Sequence, residues 1–215
     1  MKKLFSTILL SLPGLLFAQK ITISEDIPLR NDVAYEIVGH FKDRLLLFRD
    51  RVNQFEIQAF DNRMRETWSK ELNLEKRSPK VIGIVPSEED FTVFYRHRDK
   101  NHLILKANRY DPAANLRDTM TLKDFGFMFY TPNFEVIKSE DKTKALIYFV
   151  ENQQNFRVVS YDVVNMKVLW EKSFFPEDMN FWEEFHQIIV SNDGTMFLIL
   201  QKNRYRFRRD NNYHE

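Results

Sequence analysis

The sequence contains no cysteine, and this absence excludes several kinds of chemistry at once. Without thiols the chain has no disulfides, no thiolate nucleophile, no cysteine-ligated zinc and no N-terminal cysteine to carry a lipid. Glycine is scarce as well, with 5 residues among 215, and no glycine-rich phosphate-binding loop occurs. Serines such as Ser69 and Ser160 lie outside any nucleophile-elbow pattern. The sequence therefore indicates no catalytic residue, and we expect no cofactor.

Long apolar runs are absent except at the start of the chain. Lys2 and Lys3 precede an apolar run from Leu4 to Phe17, and Ala18 then places a small residue before the predicted cleavage point. This order is typical of a secretory signal peptide. The run of 14 residues is shorter than the roughly 20 that a spanning helix needs. We therefore predict a signal peptide over residues 1–18, export to the periplasm or beyond, and no transmembrane segment in the mature chain.

An excess of charge of either sign is also missing. Without the signal peptide, 30 basic residues stand against 31 acidic ones, so the mature chain has a net charge of −1. Such a chain lacks the broad positive charge by which proteins bind nucleic acid, and we expect no nucleic-acid partner. With 43% hydrophobic residues and 20 phenylalanines, it is rich enough in apolar surface to bury a core.

The most informative feature that is present is an internal repeat of about 50 residues. An aromatic-Asp pair occurs three times, as Phe60-Asp61, Tyr110-Asp111 and Tyr161-Asp162, at spacings of 50 and 51 residues. Each pair ends a segment in which apolar and polar residues alternate, the pattern of a half-buried strand. The Asp fits a turn, because its carboxylate can accept hydrogen bonds from backbone amides two residues on.

Each repeat unit contains four predicted strands. Two strands with longer apolar runs precede the aromatic-Asp strand, as expected of strands buried on both faces, and one strand follows the turn. The predicted strands are 34–38, 45–48, 54–60 and 63–72 in the first unit, 81–85, 91–95, 102–110 and 115–122 in the second, and 134–137, 145–150, 155–161 and 166–174 in the third. A fourth unit has three candidates, 185–190, 195–201 and 205–207. Small sheets that cannot bury their own faces predict an all-β, propeller-like array of four-stranded antiparallel blades over residues 19–215.

Two structural alternatives stay open at this point. An antiparallel sandwich also has short strands at regular spacing. If the chain is a propeller, the fourth unit is either partial, as in a fragment of a larger ring, or closed by the alternating segment Ile21 to Ser24 beside Tyr205 to Phe207. Helix is expected only at Glu177 to Phe185, as one turn or two.

The third repeat resembles a known blade motif. Its sequence from Ser160 to Trp170 is similar to that of the quinoprotein-like (PQQ-like, WD40-like) propellers, in which a Trp follows the Asp by eight residues. Ala59, Asp61 and Trp68 look like a shortened copy. The sequence departs from the motif at Asn165-Met166, where the family has Thr-Gly, and the second unit has Met120 instead of Trp. The resemblance implies propeller blades, and since the wider group contains both dehydrogenases and envelope assembly scaffolds, it does not select a function.

The connectors between units have the most unusual composition. One runs from Gly126 to Pro132 and the other from Phe175 to Trp182, and both are rich in aromatic residues. In a propeller they lie on the same face as the loop joining the second and third strands, which in the second unit is Arg96 to Asn101. We therefore predict a ligand- or partner-binding face formed by Phe127, Phe129, Tyr130, Phe181, Trp182, His97 and Arg98. The alternative is that the rings fill the gaps between blades.

Two other patterns have simpler explanations. His97, Asp99 and His102 fall close together but have no helical i, i+4 spacing and no fourth ligand, so a solvated loop is favoured over a metal site. The segment from Lys202 to Arg209 interleaves basic and aromatic residues, which alternation in a solvated strand explains.

These observations predict a non-enzymatic binding or assembly scaffold that uses one propeller face for a protein or glycan partner. One alternative is a carbohydrate-active or quinone-dependent enzyme, which would need converging carboxylates or a bound cofactor. A second alternative is a sensor domain of a larger envelope protein.

Overall fold

The structure is a computed structural model that describes residues 21–24, 26, 33–51, 54–75, 79–176 and 181–201, the last range without the side chains of Phe181 and Trp182. The first sheet contains β1 (Ala34–Phe41), β2 (Arg44–Asp50), β3 (Phe55–Phe60) and β4 (Glu66–Leu72). The second contains β5 (Lys80–Pro86), β6 (Phe91–Asp99), β7 (His102–Tyr110) and β8 (Leu116–Phe127). The third contains β9 (Glu135–Lys138), β10 (Lys144–Glu151), β11 (Asn155–Asp162) and β12 (Lys167–Phe174). A single helical turn, α1 (Phe181–Glu184), precedes the fourth sheet, which comprises β13 (Phe185–Val190) and β14 (Met196–Leu200).

All twelve strands predicted for the first three units are present, in the predicted order. Each of these sheets is an antiparallel meander in which sequential strands are neighbours. The second sheet differs from prediction in its length, because β6 continues to Asp99 and β8 to Phe127. The predicted loop from Arg96 to Asn101 is therefore reduced to a tight turn at Lys100 and Asn101, both of which have positive φ.

The sheets pack face to face, with one hydrophobic core between each consecutive pair. Leu46 of the first sheet and Phe91 of the second lie in the first core, and the second core joins Phe94 to Ile147 of the third sheet. The third core joins the third sheet to Ile188 of the fourth. The first strands β1, β5, β9 and β13 contact one another in succession. The chain is therefore an all-β array of propeller-like blades with their first strands near a common axis, and the sandwich alternative is wrong.

The aromatic-Asp pairs close the third strand of each complete sheet, as predicted. The carboxylates of the first two pairs accept hydrogen bonds from the backbone amide two residues on, and the third accepts one from three residues on. These bonds run from Arg63 N to Asp61 Oδ1 (2.8 Å), from Ala113 N to Asp111 Oδ1 (3.0 Å) and from Asn165 N to Asp162 Oδ1 (2.9 Å). The repeated Asp is thus explained by the turn between the third and fourth strands.

The two tryptophans of the repeat are packing residues, but neither is fully buried. Trp68 on β4 packs partly buried against the first core, and Trp170 on β12 does the same in the third core. The indole Nε1 of Trp170 donates a hydrogen bond of 3.1 Å to the carbonyl of Gly194, in the turn between β13 and β14. The Trp170 indole therefore ties the third sheet to the fourth.

The fourth sheet is partial within the described residues. Residues 21–24 lie outside every sheet, and Ile21 and Ile23 are largely exposed, so this segment does not supply the strand that ring closure required. The predicted signal peptide, the strand at 205–207 and the segment from Lys202 to Arg209 lie outside the described residues. Among the helices that the structure describes, none is long and apolar enough to cross a membrane.

Candidate functional site

The connector between the second and third sheets lies beside the β6–β7 turn, and the Arg98 side chain joins them. Its Nη1 donates a hydrogen bond of 2.9 Å to the Met128 carbonyl, and its Nη2 donates to the Tyr130 carbonyl at 3.2 Å and to Thr131 Oγ1 at 3.1 Å. Hydrogen bonds from a charged donor are stronger than those between neutral groups. One guanidinium thus holds the backbone of residues 128–131 against the end of the hairpin.

Tyr130 extends this link to the third sheet. Its hydroxyl donates a hydrogen bond of 3.1 Å to Glu151 Oε1, at the end of β10. The other carboxylate oxygen of Glu151 accepts two hydrogen bonds of 3.1 Å from the guanidinium of Arg157 on β11. Burial raises the pKa of Tyr130 and the adjacent Glu151 carboxylate raises it further, so the hydroxyl keeps its proton at neutral pH. The connector is therefore bound to the second sheet through Arg98 and to the third sheet through Glu151.

Two phenylalanines project from this connector into solvent. Phe127 is 56% exposed and Phe129 is 93% exposed. Their rings meet edge to face, with centroids 4.7 Å apart and planes at 81°. Gly126, at a φ of 71° with open space around its Cα, allows the chain to turn at the end of β8. The result is an apolar surface supported by a hydrogen-bonded backbone, and we call Phe127, Phe129 and Arg98 the connector surface.

His97 does not belong to the connector surface. It was expected in a solvated loop, and that expectation is wrong, because β6 runs through it and pairs it with Ile104. Strand alternation turns its ring away from Arg98 and toward the first sheet, where it is 6% exposed and lies 6.1 Å from the ring of Tyr95. Burial lowers the pKa of His97, although Glu75 opposes the shift, so the ring is neutral at physiological pH.

Two of the charged groups that line the groove in front of His97, Lys106 and Glu75, are paired with each other. Lys106 Nζ lies 2.5 Å from Glu75 Oε1, and this hydrogen bond lowers the pKa of Glu75. His102, expected near His97, instead places its Nδ1 3.0 Å from Asp124 Oδ2 on β8. Within the described ranges no group of three His, Cys, Asp or Glu side chains could hold a metal ion.

The structure thus brings together four of the seven residues predicted for the binding face. Phe127, Phe129, Tyr130 and Arg98 lie together. His97 faces another sheet, and the side chains of Phe181 and Trp182 lie outside the described part of the chain. The roles of Thr131, Glu151 and Arg157 were not predicted, because their contacts depend on how two sheets are placed side by side. Their only sequence signal is their position in or next to the loops of one face.

We expect Arg98→Gln to loosen the connector while leaving the fold intact, because its three bonds to residues 128–131 are lost at a solvent-exposed site. Backbone amide hydrogen exchange in residues 128–131 should become faster, with a change in the free energy of unfolding of about 1 kcal/mol or less. Arg117→Gln is the matched control, since its guanidinium is exposed and pairs at the surface with Asp111, away from the connector. Equal exchange in both variants would show that Arg98 does not hold the connector.

Stability is expected to fall in two stages on acidification. Burial holds the pKa of His97 below its usual 6.5, so its stabilising contribution is complete above pH 6.5 and is lost as the pH falls below that value. Hydrogen bonds from Arg65 and Arg63 lower the pKa of Asp61 from 3.8 to about 2. The contribution of Asp61 to stability is therefore lost only as the pH falls from 3.8 to about 2. Urea midpoints measured between pH 8 and pH 2 should show both stages, and His97→Gln should abolish the first one only. An unchanged profile in His97→Gln would contradict the assignment.

Comparison with known proteins gives likenesses of structure alone. No protein-family model and no curated protein sequence matches this chain. Among solved structures, it is similar to the Dos1 propeller at 14% identity and a TM-score of 0.48, covering 74% of this chain and 40% of that one. The β-propeller domain of Nup133 from Vanderwaltozyma polyspora follows at 8% identity and 0.42, with 79% and 53% covered. A prolyl endopeptidase matches at 17% identity and 0.43, with 76% and 23% covered. The chain spans about half or less of each of these proteins.

Proposed function

We propose that this protein is a non-enzymatic binding or assembly module that engages a protein or glycan partner through the connector surface. The observation that carries the proposal is the exposure of Phe129, 93% of whose side chain meets solvent although it follows a rigid strand end. Leaving a phenylalanine in water forgoes about 1.5 to 3 kcal/mol of burial free energy. A partner that covers the ring recovers this free energy, which is how aromatic residues become the centres of interfaces.

The surroundings of the two rings favour a role in binding a partner over the alternative that the rings fill the gap between two blades. Met128, between them in sequence, packs on the second core, so the connector already has its packing residue. Phe127 and Phe129 point away from that core and contact each other. Arg98, which binds the connector backbone, and the Glu151–Arg157 pair, which binds Tyr130, add charges of both signs to the same connector. An apolar centre with a polar rim is the usual anatomy of a protein interface, and aromatic faces with nearby hydrogen-bonding groups also suit sugar rings.

The finer identity of the blades is part of the same proposal. The third repeat resembles quinoprotein-like blades, and since that group contains both envelope assembly scaffolds and dehydrogenases, the resemblance is compatible with an assembly scaffold without selecting it. Export through the N-terminal signal peptide would place the connector surface outside the cytoplasm. The carbohydrate-active or quinone-dependent enzyme and the sensor domain remain the alternatives, and no specific feature of the connector surface favours either.

The proposal is tested by placing a photo-crosslinking amino acid at position 129 in cells that produce the protein. We expect one discrete crosslinked partner from position 129. Position 197 is the matched control, because Phe197 is also an exposed phenylalanine, 54% accessible, but lies on the fourth sheet. For a glycan partner, binding of the purified protein to a glycan array should fall roughly tenfold or more in Phe127→Ala/Phe129→Ala and stay unchanged in Phe197→Ala.

The outcomes separate the possibilities. Crosslinks at position 129 that match those at position 197 would indicate random encounters and count against the connector surface. If position 129 gives no crosslinked product and the glycan array shows no binding, the proposal is wrong.

A further inference from the structure

Arg96 is the nearest neighbour of Arg98 on one face of β6. Side chains alternate along a strand, so Arg96 lies between Phe94, which is fully buried in the second core, and Arg98, which holds the connector. Two residues of a strand span about 7 Å. Burial lowers the pKa of Arg96, and the positive charge of Arg98 lowers it further. Two guanidinium groups therefore lie close together beside the connector.

The Arg96 side chain has no hydrogen bond and no ion pair with any residue that the structure describes. The other two guanidiniums at this place are occupied, because Arg98 binds the connector backbone and Arg157 binds Glu151. Arg96 is half-buried, yet its nitrogen atoms still reach solvent. A guanidinium that has lost part of its hydration beside a like charge, without gaining an anion, is in an unfavourable state. An anion from another molecule would stabilise it.

The remaining groups of the connector suit an apolar side chain better than a sugar. Arg98 donates to the Tyr130 carbonyl, and the Tyr130 hydroxyl donates to Glu151, so these polar groups are already engaged. A bound sugar needs hydrogen-bond partners for its hydroxyl groups, because burying them unpaired is unfavourable. The rings of Phe127 and Phe129 meet at 81° and form an apolar corner, whereas a sugar ring stacks on a flat face.

We propose, on the basis of the proposed function, that the partner of the connector surface is a protein that places a carboxylate on Arg96 and a neighbouring apolar side chain against Phe127 and Phe129. A carboxylate can accept two parallel hydrogen bonds from one guanidinium, which fixes its orientation. It also supplies negative charge to Arg96 and Arg98, neither of which has a carboxylate partner among the described residues. The apolar side chain covers the exposed rings and provides the centre of the interface.

A phage-displayed library of random linear peptides, selected against the purified full-length protein, tests this partner chemistry. We expect the enriched peptides to carry an Asp or Glu close to a large apolar residue. Arg96→Gln should weaken their binding about tenfold, because the charge-assisted hydrogen bonds are lost. Arg96→Lys keeps the charge without the fork of donors, so it should weaken binding less. Phe129→Ala should weaken the same peptides.

Lys100→Gln is the matched control for the loss of a positive charge. Lys100 is an exposed residue in the adjacent β6–β7 turn and has no ion pair within the described ranges. This variant should bind the selected peptides as tightly as the unchanged protein does. Urea midpoints check that Arg96→Gln folds, and Arg96→Met, which keeps the length of the side chain, should lose binding to the same extent.

The possible results separate this inference from the proposed function. Selected peptides without an acidic residue, a library with no enrichment, or peptides that bind Arg96→Gln undiminished would each show that Arg96 does not bind a carboxylate. Binding of a sulfated glycan that is lost in Arg96→Gln would also overturn the inference, because the anion would then come from a glycan. A crosslinked partner at position 129 with the same yield in Arg96→Gln would leave the connector surface as a binding site and contradict only the role of Arg96.

Discussion

Phe94→Ala is expected to lower the free energy of unfolding by about 3 to 5 kcal/mol, because it empties the centre of the second core. The Phe94 side chain has no solvent exposure, and its ring meets Tyr161 of the third sheet edge to face at 5.5 Å. The substitution removes buried apolar surface and leaves a cavity between two sheets that cannot close without moving a whole blade. Urea or thermal denaturation followed by circular dichroism measures the change.

An exposed phenylalanine in the same array of sheets is the control for this loss of stability. Phe197→Ala, at 54% exposure, should change the free energy of unfolding by about 0.5 kcal/mol or less. If Phe94→Ala does not fold well enough to measure, Phe94→Leu should show a smaller loss in the same direction. Equal effects of Phe94→Ala and Phe197→Ala would mean that the second and third sheets do not share the core described above.

Gly83→Ala should destabilise the fold by about 1 to 3 kcal/mol through overpacking at the centre of the array. Gly83 lies on β5, and a Cβ there would meet Val136 on β9, at 2.8 Å from its Cβ and 2.9 Å from its Cγ2. Contacts this short force the first strands of the second and third sheets apart. Because those strands lie near the common axis, the displacement is transmitted to the core between the sheets. The denaturation midpoint measures the effect.

Gly39 offers a matched control at the equivalent position of the first sheet. Both glycines follow a bulge between the first and second strands of their sheets. A Cβ at Gly39 would approach Phe41 and Pro86 no closer than 3.4 Å, so Gly39→Ala should be much less destabilising than Gly83→Ala. In a double-mutant cycle, Val136→Gly removes all three side-chain atoms that lie within 3.3 Å of the new Cβ, and the combined loss should be smaller than the sum. Strict additivity would contradict the proposed clash.

The sequence predicted where the connector surface lies, but it did not predict which residues of the neighbouring hairpin belong to that surface. Alternation and aromatic-rich connectors located Phe127, Phe129 and Tyr130 on the face that also holds the β6–β7 turn. The run Arg96-His97-Arg98-Asp99 looked like a loop because it is polar, yet it forms paired strand in the structure. Polar residues are compatible with a strand when neighbouring strands complete their backbone hydrogen bonds, and that pairing is a tertiary property. His97 was misplaced for this reason.

The sequence by itself determined the periodic part of this protein. The aromatic-Asp pairs, the alternation before them and the apolar strands that precede them follow from local chemistry, since turn geometry and the two faces of a strand act on residues close together in the chain. The tertiary structure alone decided which side of each sheet meets which neighbour, and hence that Phe94 is buried and Phe129 is exposed. These two phenylalanines have the same side chain, and their different surroundings come from sheets joined by contacts between residues far apart in sequence.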